Sequence, residues 1–166
     1  MAILEIKTFP DPVLRETAKP IEHITDEIKM LVTDMIDTMR AARGAGLAAN
    51  QVGIPIRLIV IESTEKRGDR AVAIINPEIV STESEEVAEE GCLSVPGFYE
   101  YIKRAKKVCV KGINMEGDLF EIECTGYPAR ALQHEIDHLN GKLFIDYLSP
   151  VKRNLFKKRY LKQKNR

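Results

Sequence analysis

His134-Glu135-Ile136-Asp137-His138 places two imidazoles four residues apart, with a carboxylate beside the first. Positions four apart share one face of a helix, so both rings can reach a single metal ion. Glu135 falls where its carboxylate can take a proton from a water on that ion without being a ligand. This is the H-E-x-x-H arrangement of metal-assisted amide hydrolysis. Five residues are few, and a polar helix face that carries two histidines by coincidence is the plain alternative. The flanks favour a helix: Pro128 suits a first turn, Ala129 to Gln133 are good helix formers, and Asn140-Gly141 is a stop signal. Leu132, Ile136 and Leu139 add an apolar stripe that would pack inward and hold the histidine face still.

A catalytic site of this kind takes three protein ligands and keeps one position open for water. Downstream completion fails. Phe144 stands where the extended pattern needs its third histidine, and no Glu follows Glu135. Asp137 points off the histidine face, and Asp146 is the only later carboxylate. The third ligand must come from upstream, where His23, Cys92, Cys109 and Cys124 are the soft candidates. His23, just ahead of a helix, reads as a surface residue. Cys109, inside Val108-Cys109-Val110, and Cys124, after the run Phe120 to Glu123, read as strand residues packed as small hydrophobes. Cys92 differs: it lies in Glu90-Gly91-Cys92-Leu93-Ser94, where glycine lets the backbone approach a ligand closely. Cys92 is the expected third ligand.

Gly44-Ala45-Gly46-Leu47-Ala48-Ala49-Asn50-Gln51, then Glu90-Gly91-Cys92-Leu93-Ser94, then Gln133-His134-Glu135-Ile136-Asp137-His138 together resemble the three signature motifs of the peptide deformylases. They come in that family's order and at similar spacings. Pro10-Asp11-Pro12-Val13-Leu14-Arg15 and Asp146-Tyr147-Leu148-Ser149-Pro150 extend the resemblance over essentially the whole chain.

The resemblance implies hydrolysis of the formamide of N-formylmethionine at the front of new bacterial polypeptides, with release of formate. It implies one divalent metal ion held by Cys92, His134 and His138: Fe(2+) in cells, with Zn(2+), Ni(2+) or Co(2+) as alternatives in purified protein. It implies Glu135 as general base, and the Gln51 side-chain amide and the Leu93 backbone N–H as donors to the oxyanion. Glu90 and Arg104 match a pair that braces the metal-bearing loop. The substrate main chain would lie along Ala45, Gly46 and Gly91 as an added strand. The methionine side chain would enter an apolar pocket lined by Tyr127, the stem of Arg130, and Ala131. Tyr99 departs from the pattern, standing where a subset of the family has arginine. Thiolate ligation of iron predicts activity that decays in air and persists with nickel or cobalt.

Other readings are distinguishable. A zinc endopeptidase shares the helix motif but would cleave internal peptide bonds. A lapsed homologue serving only as a ribosome-bound module would lack a catalytic residue, and none of those implied is missing. A structural metal site would need a fourth protein ligand, for which the sequence offers no convincing candidate.

At 166 residues the chain is expected to form one domain, 1–166, with a sizeable core. Three cysteines, one of them assigned to a metal, argue against a disulfide framework and fit a reducing cytoplasm. No signal peptide or membrane span is visible. A monomer is expected. Net charge is zero, yet Val151 to Arg166 carries eight Lys or Arg and no acid, leaving residues 1–150 with 17 basic against 25 acidic residues, or −8. Solvated lysines on a terminal helix are the ordinary reading of such a tail, and a polyanion contact is the functional one. The resemblance points to the ribosome surface near the exit tunnel.

Ile28, Leu31, Val32, Met35, Ile36 and Met39 recur at helical spacing after Thr25 as N-cap. Arg57 to Glu62, Val72 to Asn76, Lys106 to Ile113 and Leu119 to Glu123 read as strands. The acidic run 83–90 reads as a solvated hairpin or loop. The expected class is α+β, with antiparallel sheet around a central metal-binding helix and a basic helix at the C-terminus.

Overall fold

A computed structural model of the chain describes residues 2–62 and 71–164. Three helices appear among them: α1 (Asp26–Ala41), α2 (Tyr127–Leu139) and α3 (Pro150–Lys164). The strands β1 (Gly46–Ala48), β2 (Leu58–Glu62), β3 (Ala71–Cys92), β4 (Val95–Ile113) and β5 (Leu119–Thr125) form one five-stranded sheet in sequence order. Every neighbouring pair is antiparallel. The expected α+β class holds.

β2 explains the layering. Its Leu58-Ile59-Val60-Ile61 run is buried throughout, as a strand covered on both faces requires. Ile59 and Ile61 pack with Ile74, Val108 and Val110 against Ala129, Leu132, Ile136 and Leu139 of α2. Leu58 and Val60 belong to a second cluster, with Val32, Met35 and Met39 of α1. α2 is therefore a central helix, and burial of each large aliphatic side chain along it contributes about 1.5–3 kcal/mol. A third cluster joins Phe9, Phe98, Phe144, Phe156 and Tyr160, so α3 docks through its two aromatic residues and leaves Lys152, Lys158, Arg159 and Lys162 exposed on its outer face.

The helix ends behave as their residues dictate. Thr25 Oγ1 accepts the Ile28 N–H at 3.3 Å at the start of α1. Gly141, past the end of α2, has φ +74°, and a Cβ there would stand 2.5 Å from the Arg15 carbonyl oxygen.

Two expectations need correction. Of the two readings of the acidic run 83–90 the loop fails and the hairpin holds: the run is the second half of β3, mostly exposed, in one arm of the β3–β4 hairpin. Its acids are tolerated because β4 sets bases opposite them, with Lys103 near Glu85 (3.6 Å) and Lys107 near Glu83 (3.8 Å). Cys109 is not core packing. Val108 and Val110 face inward, so the strand's alternation turns Cys109 to the outer face, where its thiol lies 3.7 Å from Glu121 Oε2. Cys124 does pack against the α2 cluster, and His23 is exposed, both as read.

Candidate metal centre

β3 and β4 form a long hairpin whose turn is Leu93-Ser94. Near its end the register slips: Gly91 pairs with Tyr99 while Cys92 pairs with Val95, so Pro96-Gly97-Phe98 bulge out of the ladder. Such a bulge re-aims a side chain, and the tip bearing Cys92 meets α2. Cys92 Sγ lies 3.4 Å from His138 Nε2, which lies 3.2 Å from His134 Nε2. The three ligand atoms all fall within 4.8 Å of one another.

The donor set fits a metal ion. A tetrahedral ion with bonds of about 2.0–2.3 Å puts its nitrogen and sulfur donors roughly 3.4–3.6 Å apart, close to the two short separations. Two ring nitrogens facing each other cannot both carry protons, and a shared cation resolves the conflict. Charge agrees. Burial alone would lower the pKa of His134, but the Cys92 sulfur and the Glu135 carboxylate raise it well above the ordinary value, so the field in this pocket favours positive charge. Burial, followed by the effect of His134, holds His138 well below its ordinary value, in the neutral form a ligand needs.

The imidazole of His134 is held from behind. Its Nδ1 lies 2.6 Å from Glu90 Oε1, which assigns the proton to Nδ1 and leaves the Nε2 lone pair able to bind a metal ion. Glu90 also accepts from Arg104 Nη2 (2.6 Å) and Nε (3.1 Å), and from Arg130 Nη1 (2.9 Å). Burial pushes the Glu90 carboxyl upward, yet the bonds from His134 and Arg104 outweigh it and hold the group well below the usual carboxylate range.

Glu135 takes the other side of the helix motif. It is 4 % exposed, and its Oε1 is buried with no partner among the described residues. Burial pushes its pKa up to about 7. Gly46 makes room for it, since a Cβ there would sit 2.8 Å from Glu135 Cγ and Oε2. Gln51 is fixed by its Oε1, which accepts the Ala48 N–H at 2.9 Å. Its Nε2 donates to Ser94 Oγ at 3.0 Å and lies 3.7 Å from Cys92 Sγ. The Ser94 N–H also points at that sulfur, at 3.4 Å.

A cleft of about 390 Å³ opens onto these groups. Ala45, Gly46, Gln51, Glu90, Gly91 and Cys92 line it, as do Leu93, Tyr127, Arg130, Ala131, His134 and Glu135. Arg104 and His138 lie behind, both buried. Two glycines have reasons beyond those read from sequence: Gly46 clears Glu135, and Gly91 lies under the Tyr99 ring, 2.6 Å from where its Cβ would be. Arg130 does more than lend an aliphatic stem, because its guanidinium also bonds the Ile102 and Glu86 carbonyls.

Sequence reasoning missed several supports. Gln133 clips α2 to β4 by exchanging two bonds with the Ala105 backbone (3.0 and 2.9 Å). Asn50 Nδ2 bridges the Glu16 and His138 carbonyls, both at 2.9 Å. Asp137 and Tyr147 join Arg104, with Tyr147 Oη donating to Asp137 Oδ2 at 2.7 Å. The one signal available was polarity on helix faces that must be buried.

The profile of the family described as polypeptide deformylase matches residues 3–154. A peptide deformylase of Thermodesulfovibrio yellowstonii is 50% identical over 165 residues, covering 99% of this chain and 100% of that one. The crystal structure of a peptide deformylase from Legionella pneumophila superposes with a TM-score of 0.93 at 49% identity, covering 99% of this chain and 96% of that one. The peptide deformylase of Ehrlichia chaffeensis in complex with actinonin gives 0.93 at 40% identity, covering 100% and 99%. With these likenesses running over nearly its full length, the chain belongs to the polypeptide deformylase family.

Proposed function

We propose that Cys92, His134 and His138 hold the divalent ion with which this enzyme removes the formyl group from the N-terminal methionine of new polypeptides. Membership of the family makes the chain a metal-dependent hydrolase acting on formylated nascent peptides. The observation that carries it is the convergence of one sulfur and two ring nitrogens beside a buried carboxylate at the wall of an open cleft.

A bound divalent ion supplies the Lewis acidity that makes water a nucleophile near neutral pH. Glu135 takes the proton that the attacking water gives up at the formyl carbon, then returns it to the methionine nitrogen as the C–N bond breaks and formate leaves. A raised pKa suits a group that must both accept and donate, and the ion's charge would draw it back down toward the ionised form. Gln51 Nε2–H and the Leu93 N–H serve the oxyanion. One such donor is worth about 2.7–4 kcal/mol. Ala45, Gly46 and Gly91 accept the extended main chain, and Tyr127, Arg130 and Ala131 the methionine.

Iron is the metal we assign in the cell, and cytoplasm the compartment. No helix among the described residues is long and apolar enough to cross a membrane. The basic outer face of α3, on a molecule we take to be monomeric, suits docking on the ribosome near the tunnel exit. The test is formate release from formyl-Met-Ala-Ser by iron-loaded protein kept from oxygen. Turnover is expected, with no cleavage of internal peptide bonds. Glu135→Ala should lose about 10²–10⁴ in rate and keep its metal. Retained activity, or loss of metal with Glu135, would overturn the assignment.

A further inference from the structure

Arg104 makes more bonds than bracing Glu90 requires. Its Nε and Nη2 engage both oxygens of Glu90, while Nη1 reaches Asp137 Oδ2 at 2.6 Å. Asp137 Oδ2 also accepts from Tyr147 Oη at 2.7 Å, and the Tyr147 ring lies 4.9 Å beneath the guanidinium. Tyr147 sits on the 3-10 turn Phe144–Tyr147, which is pinned in turn by a paired Arg15–Asp146 contact (2.7 and 3.0 Å).

His134 and Asp137 stand three residues apart on α2, and both grip the same Glu90–Arg104 pair. One grip fixes the ring of a metal ligand. The other fixes the helix that carries it, and Tyr147 holds that second grip in line from outside. From this arrangement we infer that Asp137 and Tyr147 are positioning residues for the metal centre: they set the plane of Arg104, and through Glu90 the orientation of the His134 imidazole.

The chain of contacts is continuous from a half-exposed phenol to a buried imidazole at the cleft wall. Arg104 is a planar fork, so fixing its third nitrogen fixes the two that hold Glu90. Partners behind a metal ligand typically alter metal affinity by about 10–100-fold when removed. Asp137 lies two hydrogen bonds beyond Glu90, and Tyr147 three, so effects at or below the low end of that range follow: about tenfold for Asp137→Asn and about threefold for Tyr147→Phe, which keeps the ring under Arg104.

The inference rests on the ligand set proposed above, and the test separates the two. Cobalt affinity would be measured by chelator competition, and the visible spectrum of the cobalt-loaded protein recorded, for wild type, Asp137→Asn, Tyr147→Phe and Cys92→Ala. Expected are weaker cobalt binding and a shifted visible band in the two positioning variants, with kcat lowered and KM little changed. Double replacement should be no worse than Asp137→Asn alone, because Tyr147 acts through Asp137. A lower melting temperature with unchanged cobalt affinity and spectrum would make both residues merely structural and overturn the inference. Cobalt bound as tightly in Cys92→Ala as in the wild type, with an unchanged spectrum, would instead refute the ligand set.

Discussion

Glu135 and Gly46 form a pair that only the folded chain reveals. The carboxylate lies against a backbone position where any Cβ would come within 2.8 Å of it. Gly46→Ala must therefore displace the base or tilt β1, and misplacing a reacting group by about 1 Å can cost roughly 10²-fold in rate. A fall in kcat of that order with undiminished metal content is expected from steady-state kinetics and metal analysis. An alanine variant with wild-type kcat would mean that the carboxylate needs no such clearance. The three side chains that converge were legible from letters: two histidines four apart, and a cysteine beside a glycine. Arg130 and Asp137 were only half legible, because a charged residue on a helix reads as solvated until a buried partner is seen.

The β3–β4 hairpin shows where the reading of elements failed. Residues 83–90 are acidic enough to leave hairpin and loop both open, and strand propensity alone gives no reason to extend β3 through them. What rescues the strand is long-range: lysines 103, 107 and 111 stand across the ladder from acids on β3. Periodicity fared better for α1, α2 and β2, whose apolar patterns match the faces they bury. The hairpin also carries a pH dependence of its own. Folding holds the Glu90 carboxyl below its ordinary value of 4.5, so its contribution to stability is present above that pH and is lost as pH falls beneath it. Thermal melts of wild type and Glu90→Gln should differ most at neutral pH, with the gap narrowing below about pH 4.5. A gap independent of pH would contradict the ion-paired state assigned to Glu90.

At the scale of the molecule, charge and packing divide α3 into two faces. Phe156 and Tyr160 are buried against Phe9 and Phe98, and Phe98 lines the cleft. Deleting Val151 onward, the obvious way to test a role for the basic tail, would open that aromatic cluster and disturb the site as well. Reversing the charge of the exposed Lys152, Lys158, Arg159 and Lys162 spares the packing. Such a variant should lose salt-sensitive ribosome association in co-sedimentation while hydrolysing formyl-Met-Ala-Ser at the wild-type rate. Unchanged co-sedimentation would remove α3 from that role. The account depends most on where the sulfur of Cys92 stands. X-ray absorption at the metal edge of zinc-loaded protein measures this directly. One sulfur at about 2.3 Å and two imidazole nitrogens at about 2.0–2.1 Å are predicted, with the sulfur lost in Cys92→Ala. Coordination by nitrogen and oxygen alone in the intact protein would contradict the account.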